Sequence, residues 1–237
     1  MLPAPPAGTV RAVSPRLHLF NPSCEAEAAR GRPGWTPPRD VAALARDLEA
    51  LPWVLADPHD AVLVAEAPTP GWCALLAAHG VALPRFVTAP ADAPGHAPAP
   101  WGPSPDAARR LGAPWSPEAR ALYRKDTWLA LLGELVARAD AGVAGPVDVG
   151  RSCVSAAAVA EHVATLRDAG VAIAVAKAPF GTSGRGAKRL PTTSPPTPSE
   201  QGWIARTLRD QGAVVVEPWR RRLLDLSLLF EVDAGGA

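Results

Sequence analysis

Short apolar runs that alternate with helical patterns constrain the fold of this chain more than any other feature. The run at 60–67, "DAVLVAEA", is apolar across its centre, as is typical of a strand buried on both faces of a parallel sheet. The segment before it, 38–51, repeats its apolar residues at the spacing of a helix. Strands and helices that alternate in this way indicate an α/β fold.

The first half of the chain continues this alternation. Residues 16–20 and 84–90 are predicted strands, and 70–80 is a predicted helix that ends at Gly80. Proline and alanine then dominate 89–105, which favours a linker or a long surface loop. We therefore predict a Rossmann-like N-terminal α/β domain over 1–115 that includes this linker.

The second half predicts an α+β domain over 116–237. Thr197, Pro198 and Glu200 form a capping-box pattern at the start of one helix. The predicted elements are helices at 116–140, 155–170 and 197–212, and strands at 171–177, 187–190, 213–219 and 223–232.

Charge and composition exclude several classes of partner. The net charge of +1 gives no general attraction to nucleic acid or anionic lipid. No apolar run approaches the ~18 residues of a membrane helix. The cysteines, Cys24, Cys73 and Cys153, are odd in number and fit neither a disulfide framework nor a zinc spacing. We expect a cytoplasmic protein with no histidine or cysteine metal site.

A glycine-rich loop follows a lysine at the end of a predicted strand. Lys177 is one of only three lysines, and "GTSGRG" at 181–186 comes shortly after it. Glycines let backbone N–H groups approach an anion closely, and the hydroxyls of Thr182 and Ser183 add donors. Ala187 occupies the lysine position of a P-loop, and the glycine order is not that of a dinucleotide fingerprint. The pattern predicts a phosphate-binding loop; the alternative is a mobile hairpin tip with a solvated lysine.

Three stretches, in this order, resemble the nucleotide-lid subdomain of the ATP-grasp superfamily. They are "ALYRKDTW", "VAKAPFGTSGRGA" and "VVVEPWRRRLLDLSLLFEV". The resemblance covers about residues 116–233. It implies that the 116–237 domain is an ATP-grasp lid subdomain and that the 1–115 domain is the pre-ATP-grasp domain. It also implies ATP as the bound nucleotide.

The resemblance assigns roles to residues in each stretch. Lys125 and Lys177 would contact the ATP phosphates, although Arg124 stands where the family often has an acidic residue. Glu217 would accept from the adenine amino group, and the backbone of Trp219 would meet the ring edge. Asp225 would hold the ribose hydroxyls. The loop that would close over the phosphates consists of Gly181, Thr182, Ser183, Gly184, Arg185 and Gly186.

Alternatives stay open for two of these acids. Glu217 precedes a proline and could be a surface acid at a strand end. Asp225 could be a solvated position on the polar side of its strand.

The stretch "LHLFNPSCEAEAA" resembles the α/β domain that precedes the ATP-grasp fold in uncharacterised bacterial members. It places Asn21, Cys24 and Glu25 after the first strand, where open α/β sheets bind ligands. We expect these residues to bind substrate. The alternative is an ordinary strand-to-loop turn.

The resemblance implies an ATP-dependent ligase that activates an unidentified small-molecule carboxylate as an acyl phosphate for attack by an amine or thiol. Magnesium would neutralise the phosphates. In the family its ligands lie on a larger subdomain after the lid, so we expect them outside this sequence, which ends at "FEVDAGGA". The alternatives are a nucleotide-binding module or fragment without ligase activity, and a structural protein with a decayed loop.

Overall fold

A computed structural model describes residues 14–140, 144–181 and 186–221. The chain divides into two compact units. Of the described residues, the first unit contains 14–127 with 180 and 181, and the second contains 128–140, 144–179 and 186–221. The division thus follows Thr127, whereas the sequence pattern placed a domain boundary near residue 115.

The first unit is built on a parallel sheet of four strands in the order β3-β2-β1-β4. The strands are β1 (Arg16–Leu19), β2 (Ala61–Leu63), β3 (Arg85–Val87) and β4 (Ala97–Pro100). The helices are α1 (Cys24–Arg30), α2 (Arg39–Asp47), α3 (Pro70–Ala78), α4 (Pro105–Leu111) and α5 (Pro117–Leu122). Leu17, Leu19 and Leu63 form a core with Leu111 of α4. The predicted α/β alternation is confirmed for this unit.

The proline-rich segment differs from the expected linker, because it carries β4. This strand pairs in parallel with β1, from Arg16 opposite Ala97 to Leu19 opposite Pro100. Its composition hid it, since alanine and proline are depleted in strands. Proline is tolerated here because β4 is an edge strand, where not every N–H has to join the ladder.

A buried carboxylate joins the amino ends of the parallel strands. Asp60 accepts hydrogen bonds from the backbone N–H of Arg16 at 2.7 Å and of Asp57 at 2.9 Å. Its other neighbour is His18, whose Nε2 lies 3.0 Å from Oδ2. Burial raises the pKa of Asp60, but the hydrogen bonds from His18, Arg16 and Asp57 outweigh it and hold the pKa below its usual value. Asp60 therefore has a structural role: it ties the start of β1 to the loop before β2.

We expect Asp60→Ala to lower the free energy of unfolding of the first unit by about 3 kcal/mol, because buried donors lose their acceptor. Urea denaturation followed by tryptophan fluorescence measures the loss. Asp57→Ala is the matched control, since that residue is exposed and donates through its backbone. Similar losses in both variants would contradict this structural role of the Asp60 carboxylate.

The second unit contains an antiparallel sheet in the order β5-β8-β6-β7. Its strands are β5 (Arg151–Cys153), β6 (Ile173–Lys177), β7 (Ala187–Pro191) and β8 (Val214–Pro218). Its helices are α6 (Leu129–Arg138), α7 (Ala156–Asp168) and α8 (Pro198–Gln211). The predicted hairpin of β6 and β7 is confirmed, as is the capping box of Thr197 and Glu200.

The two faces of this sheet differ in chemistry. Alternate residues of the central strands, such as Ala174, Ala176 and Val216, form a core with Leu166 of α7 and Ile204 of α8. The residues between them belong to the opposite face by the two-residue period of a strand. That second face carries Val175, Lys177, Val215 and Glu217.

The predicted helix at 116–140 is wrong as a single element. The structure has α5, a short 3₁₀ helix at Lys125–Trp128 and then α6. The interruption coincides with Arg124, whose guanidinium makes two hydrogen bonds to the carboxylate of Asp126. None of the helices in the described part of the chain is long and apolar enough to cross a membrane. The predicted strand at 223–232 lies outside the described residues.

A histidine in the second unit is half-buried, and its one buried ring nitrogen is unsatisfied. Within the described residues, Nε2 of His162 in α7 has no hydrogen-bond partner. Burial and the charge of Arg151 lower the pKa of His162, and they outweigh opposing effects of the Val216 backbone and Glu161. The folded second unit therefore favours the neutral imidazole.

We expect the second unit to lose stability as the pH falls below about 6.5, the ordinary histidine pKa. The folded pKa is the lower one, so the unfolded chain takes up the proton first. His162→Gln should reduce the loss between about pH 7.5 and about pH 5.5, measured by urea denaturation. The surface variant His79→Gln is the control. An unchanged loss in His162→Gln would contradict the assignment.

Candidate functional site

Lys177 and Glu217 meet on the sheet face opposite α7 and α8. Lys177 ends β6 and lies opposite Val215 of β8, so Glu217 is its diagonal neighbour on the same face. The Lys177 ammonium donates a hydrogen bond to Oε2 of Glu217. The two side chains are 30% and 24% exposed, so the pair is partly shielded from water. The structure thus brings together two residues that the resemblance assigned to one nucleotide.

Trp219 directly follows β8. Its backbone N–H donates to the carbonyl of Ile173 at 2.8 Å, and its ring lies 4.1 Å from the guanidinium carbon of Arg189. Because this N–H is already bonded to Ile173, it is not available to a ligand. The arginine above the ring is a cation–π contact that fixes the indole.

The glycine-rich loop connects β6 to β7. The N–H of Ala178 donates to the carbonyl of Gly186 at 2.8 Å and closes the base of the loop. Gly186 has φ of +73°, in the left-handed region that favours glycine. The predicted ligands Thr182, Ser183, Gly184 and Arg185 lie outside the described residues, as does Asp225.

Lys125 and the start of the loop belong to the first unit. The Lys125 ammonium donates to the carbonyl of Gly181. The neighbouring Phe180 is 5% exposed, and its ring centroid lies 5.0 Å from the guanidinium carbon of Arg120 and 5.4 Å from that of Arg124. Cationic side chains therefore surround the residues that open the loop.

Asn21 is buried at the carboxyl end of β1 and joins it to the end of β4. Its amide donates to the carbonyl of Gly102 at 2.7 Å and to Oγ of Ser104 at 3.3 Å. Its Oδ1 accepts from the N–H of Gly102 at 3.1 Å. Ser104 in turn donates to Glu27. Burial raises the pKa of Glu27 most strongly, opposed by the bond from Ser104 and assisted by the charge of Asp106.

Cys24 and Tyr123 lie against Gly102. A Cβ built at Gly102 would come within 2.4 Å of the Cys24 sulfur and 2.7 Å of the Tyr123 hydroxyl. Burial raises the pKa of Cys24, and the hydrogen bond from Tyr123 opposes it only in part. The Tyr123 pKa is also raised, by burial and then by Cys24. Glu25 is half-buried, and its charge raises both values.

Sequence reasoning missed several residues that contact the predicted site residues. Gly102, Ser104 and Tyr123 contact the candidates after β1, and Phe180 and Arg189 accompany the loop and Trp219. Gly102 and Ser104 lie in the segment that was expected to be a linker, which gave no signal for either.

No protein-family model matches the chain, and no curated protein is significantly similar to it.

We expect Gly102→Ala to expose the Cys24 thiol, because the added methyl group occupies the position of the sulfur and the hydroxyl. The rate of modification by a thiol reagent should rise about tenfold, which corresponds to losing about 1.4 kcal/mol of protection. Mass spectrometry of the labelled peptide separates Cys24 from Cys73. Gly71→Ala is the control, because nothing lies within 4 Å of its added Cβ. Equal rates in the two variants would show that Gly102 does not protect the thiol.

Proposed function

We propose that the second unit binds ATP on the sheet face that carries Lys177 and Glu217, as the nucleotide-binding part of an ATP-grasp ligase. The ion pair between these residues is the observation that supports this most directly. In this pair, an ammonium group that can bind phosphate lies beside a carboxylate that can accept a hydrogen bond. Both lie at the end of β6, where the glycine-rich loop begins.

Both residues would exchange partners on binding. The ammonium of Lys177 would leave one carboxylate oxygen for phosphate oxygens, which carry more negative charge. Glu217 would accept from the exocyclic amino group of adenine instead. Both new contacts are charge-assisted hydrogen bonds in a partly shielded position, where such bonds are stronger than in water.

Adenine and guanine differ at the position that Glu217 would contact. Adenine presents an amino donor there, whereas guanine presents a carbonyl oxygen that a carboxylate would repel. Preference for ATP over GTP therefore follows from the proposed role of Glu217.

The proposed reaction has two steps. A carboxylate oxygen of the substrate attacks the γ-phosphorus, the bond to the β,γ-bridging oxygen breaks, and ADP leaves with the electron pair. An amine or thiol then attacks the acyl carbon and loses its proton, while inorganic phosphate leaves. Lys177 would hold the phosphates in position for the first step.

Magnesium would add charge neutralisation at the phosphates when bound. Among the described residues, no group of three or more His, Cys, Asp or Glu side chains could hold a metal ion.

Lys177→Met is expected to weaken binding of a non-hydrolysable ATP analogue by about 30–100-fold, since a partly desolvated lysine–phosphate contact contributes about 2–3 kcal/mol. Lys188→Met should change it by less than about fivefold, because this exposed side chain on β7 makes at most a solvent-screened contact. Isothermal titration calorimetry measures both.

Equal losses in the two variants would contradict the role of Lys177, and no binding by the unmodified chain would contradict the proposed function. Thermal unfolding of each variant controls for loss of fold. If ATP binds but ADP does not form with any tested carboxylate and amine, the chain is a nucleotide-binding module without ligase activity.

A further inference from the structure

We infer that Gly150 is a positioning residue: the space left by its missing side chain is what allows Glu217 to lie where its carboxylate meets Lys177. Gly150 is buried and directly precedes β5. In the register of β5 and β8, Arg151 lies opposite Val216, so Gly150 faces Glu217 across the same pair of strands.

The distances around Gly150 leave no room for a methyl group. A Cβ built there would lie 2.5 Å from Cγ of Glu217, well inside the ~3.5–4.0 Å of a good carbon–carbon contact. It would also lie 3.3 Å from the carbonyl oxygen of Val216 and 3.3 Å from Cδ2 of Leu129. The carbonyl belongs to the backbone of a central strand, so the Glu217 side chain is the group that must move.

Conformation does not explain this glycine. Gly150 is not among the glycines with positive φ, so an L-residue could adopt its backbone angles. Glycine is required at this position only because the Glu217 side chain approaches it closely. A side chain at position 150 would clash with that of Glu217. This predicts that the effect of a substitution at Gly150 depends on the residue at 217.

The functional consequence rests on the proposed function. A displaced Glu217 no longer meets the adenine amino group, while the phosphates still meet Lys177. Gly150→Ala should therefore reduce the preference for ATP over GTP without lowering the affinity for tripolyphosphate, because that probe lacks a base and loses no contact when Glu217 moves away from Lys177. A general loss of stability would not change this preference.

The decisive experiment is a double-mutant cycle read by thermal unfolding, which requires no ligand. Gly150→Ala should lower the unfolding midpoint by roughly 4 °C in the native background. In the Glu217→Ala background the clashing Cγ is absent, so the same change should lower it by less than half as much. Equal falls in both backgrounds would overturn the inference.

A second glycine controls for the general effect of a methyl group. Gly202 lies in α8, no atom lies within 4 Å of its added Cβ, and it is not among the positive-φ glycines. Gly202→Ala should leave the midpoint unchanged or raise it, since alanine favours the helix by about 1 kcal/mol.

The nucleotide titrations separate the inference from the proposed function. Calorimetry with non-hydrolysable ATP and GTP analogues should show an ATP preference that falls about tenfold in Gly150→Ala. An unchanged preference in a protein that binds ATP would overturn the role in base selection. If the native chain binds no nucleotide, the proposed function fails, and the unfolding cycle still decides whether Gly150 positions Glu217.

Discussion

The ion pair between Lys177 and Glu217 is the interaction on which the proposed site depends, and it requires the register of the antiparallel sheet. The residues come from different strands and share a face because β6 and β8 pair with Val175 opposite Glu217. A slip of one residue would turn one charge toward the core of α7 and α8, where an unpaired charge is costly. The packing that buries Ala174, Ala176 and Val216 therefore also keeps the two charges together.

Much of this face followed from the sequence. The apolar run before Lys177, the glycines and the second apolar run before Glu217 are local signals, and they predicted the β6–β7 hairpin and β8. Long-range contacts left no such signal. Nothing near Gly150 in the sequence indicates that Glu217 packs on it, because the approach exists only after β5 and β8 have paired.

The two misassigned segments failed for different reasons. Residues 97–100 consist only of alanine and proline. They contain no β-branched side chains and no alternation of apolar and polar residues, so the sequence did not indicate β4. The strand forms through its pairing with β1. The 116–140 segment is rich in alanine, leucine and arginine, which favour a helix. Its break lies where Arg124 binds Asp126 and where Lys125 reaches Gly181, contacts that compete with a continuous helix. Local propensity alone does not include them.

At the carboxyl edge of the parallel sheet, the side chains limit the chemistry that the first unit could contribute. The amide of Asn21 is hydrogen-bonded to Gly102 and Ser104. A ligand could use this amide only by breaking these bonds, which join the ends of β1 and β4. Cys24 and Tyr123 have raised pKa values, which keeps both protonated near neutral pH. A protonated thiol is a poor nucleophile. Any substrate at this edge would therefore meet neutral hydrogen-bond donors and a packing surface rather than an activated nucleophile.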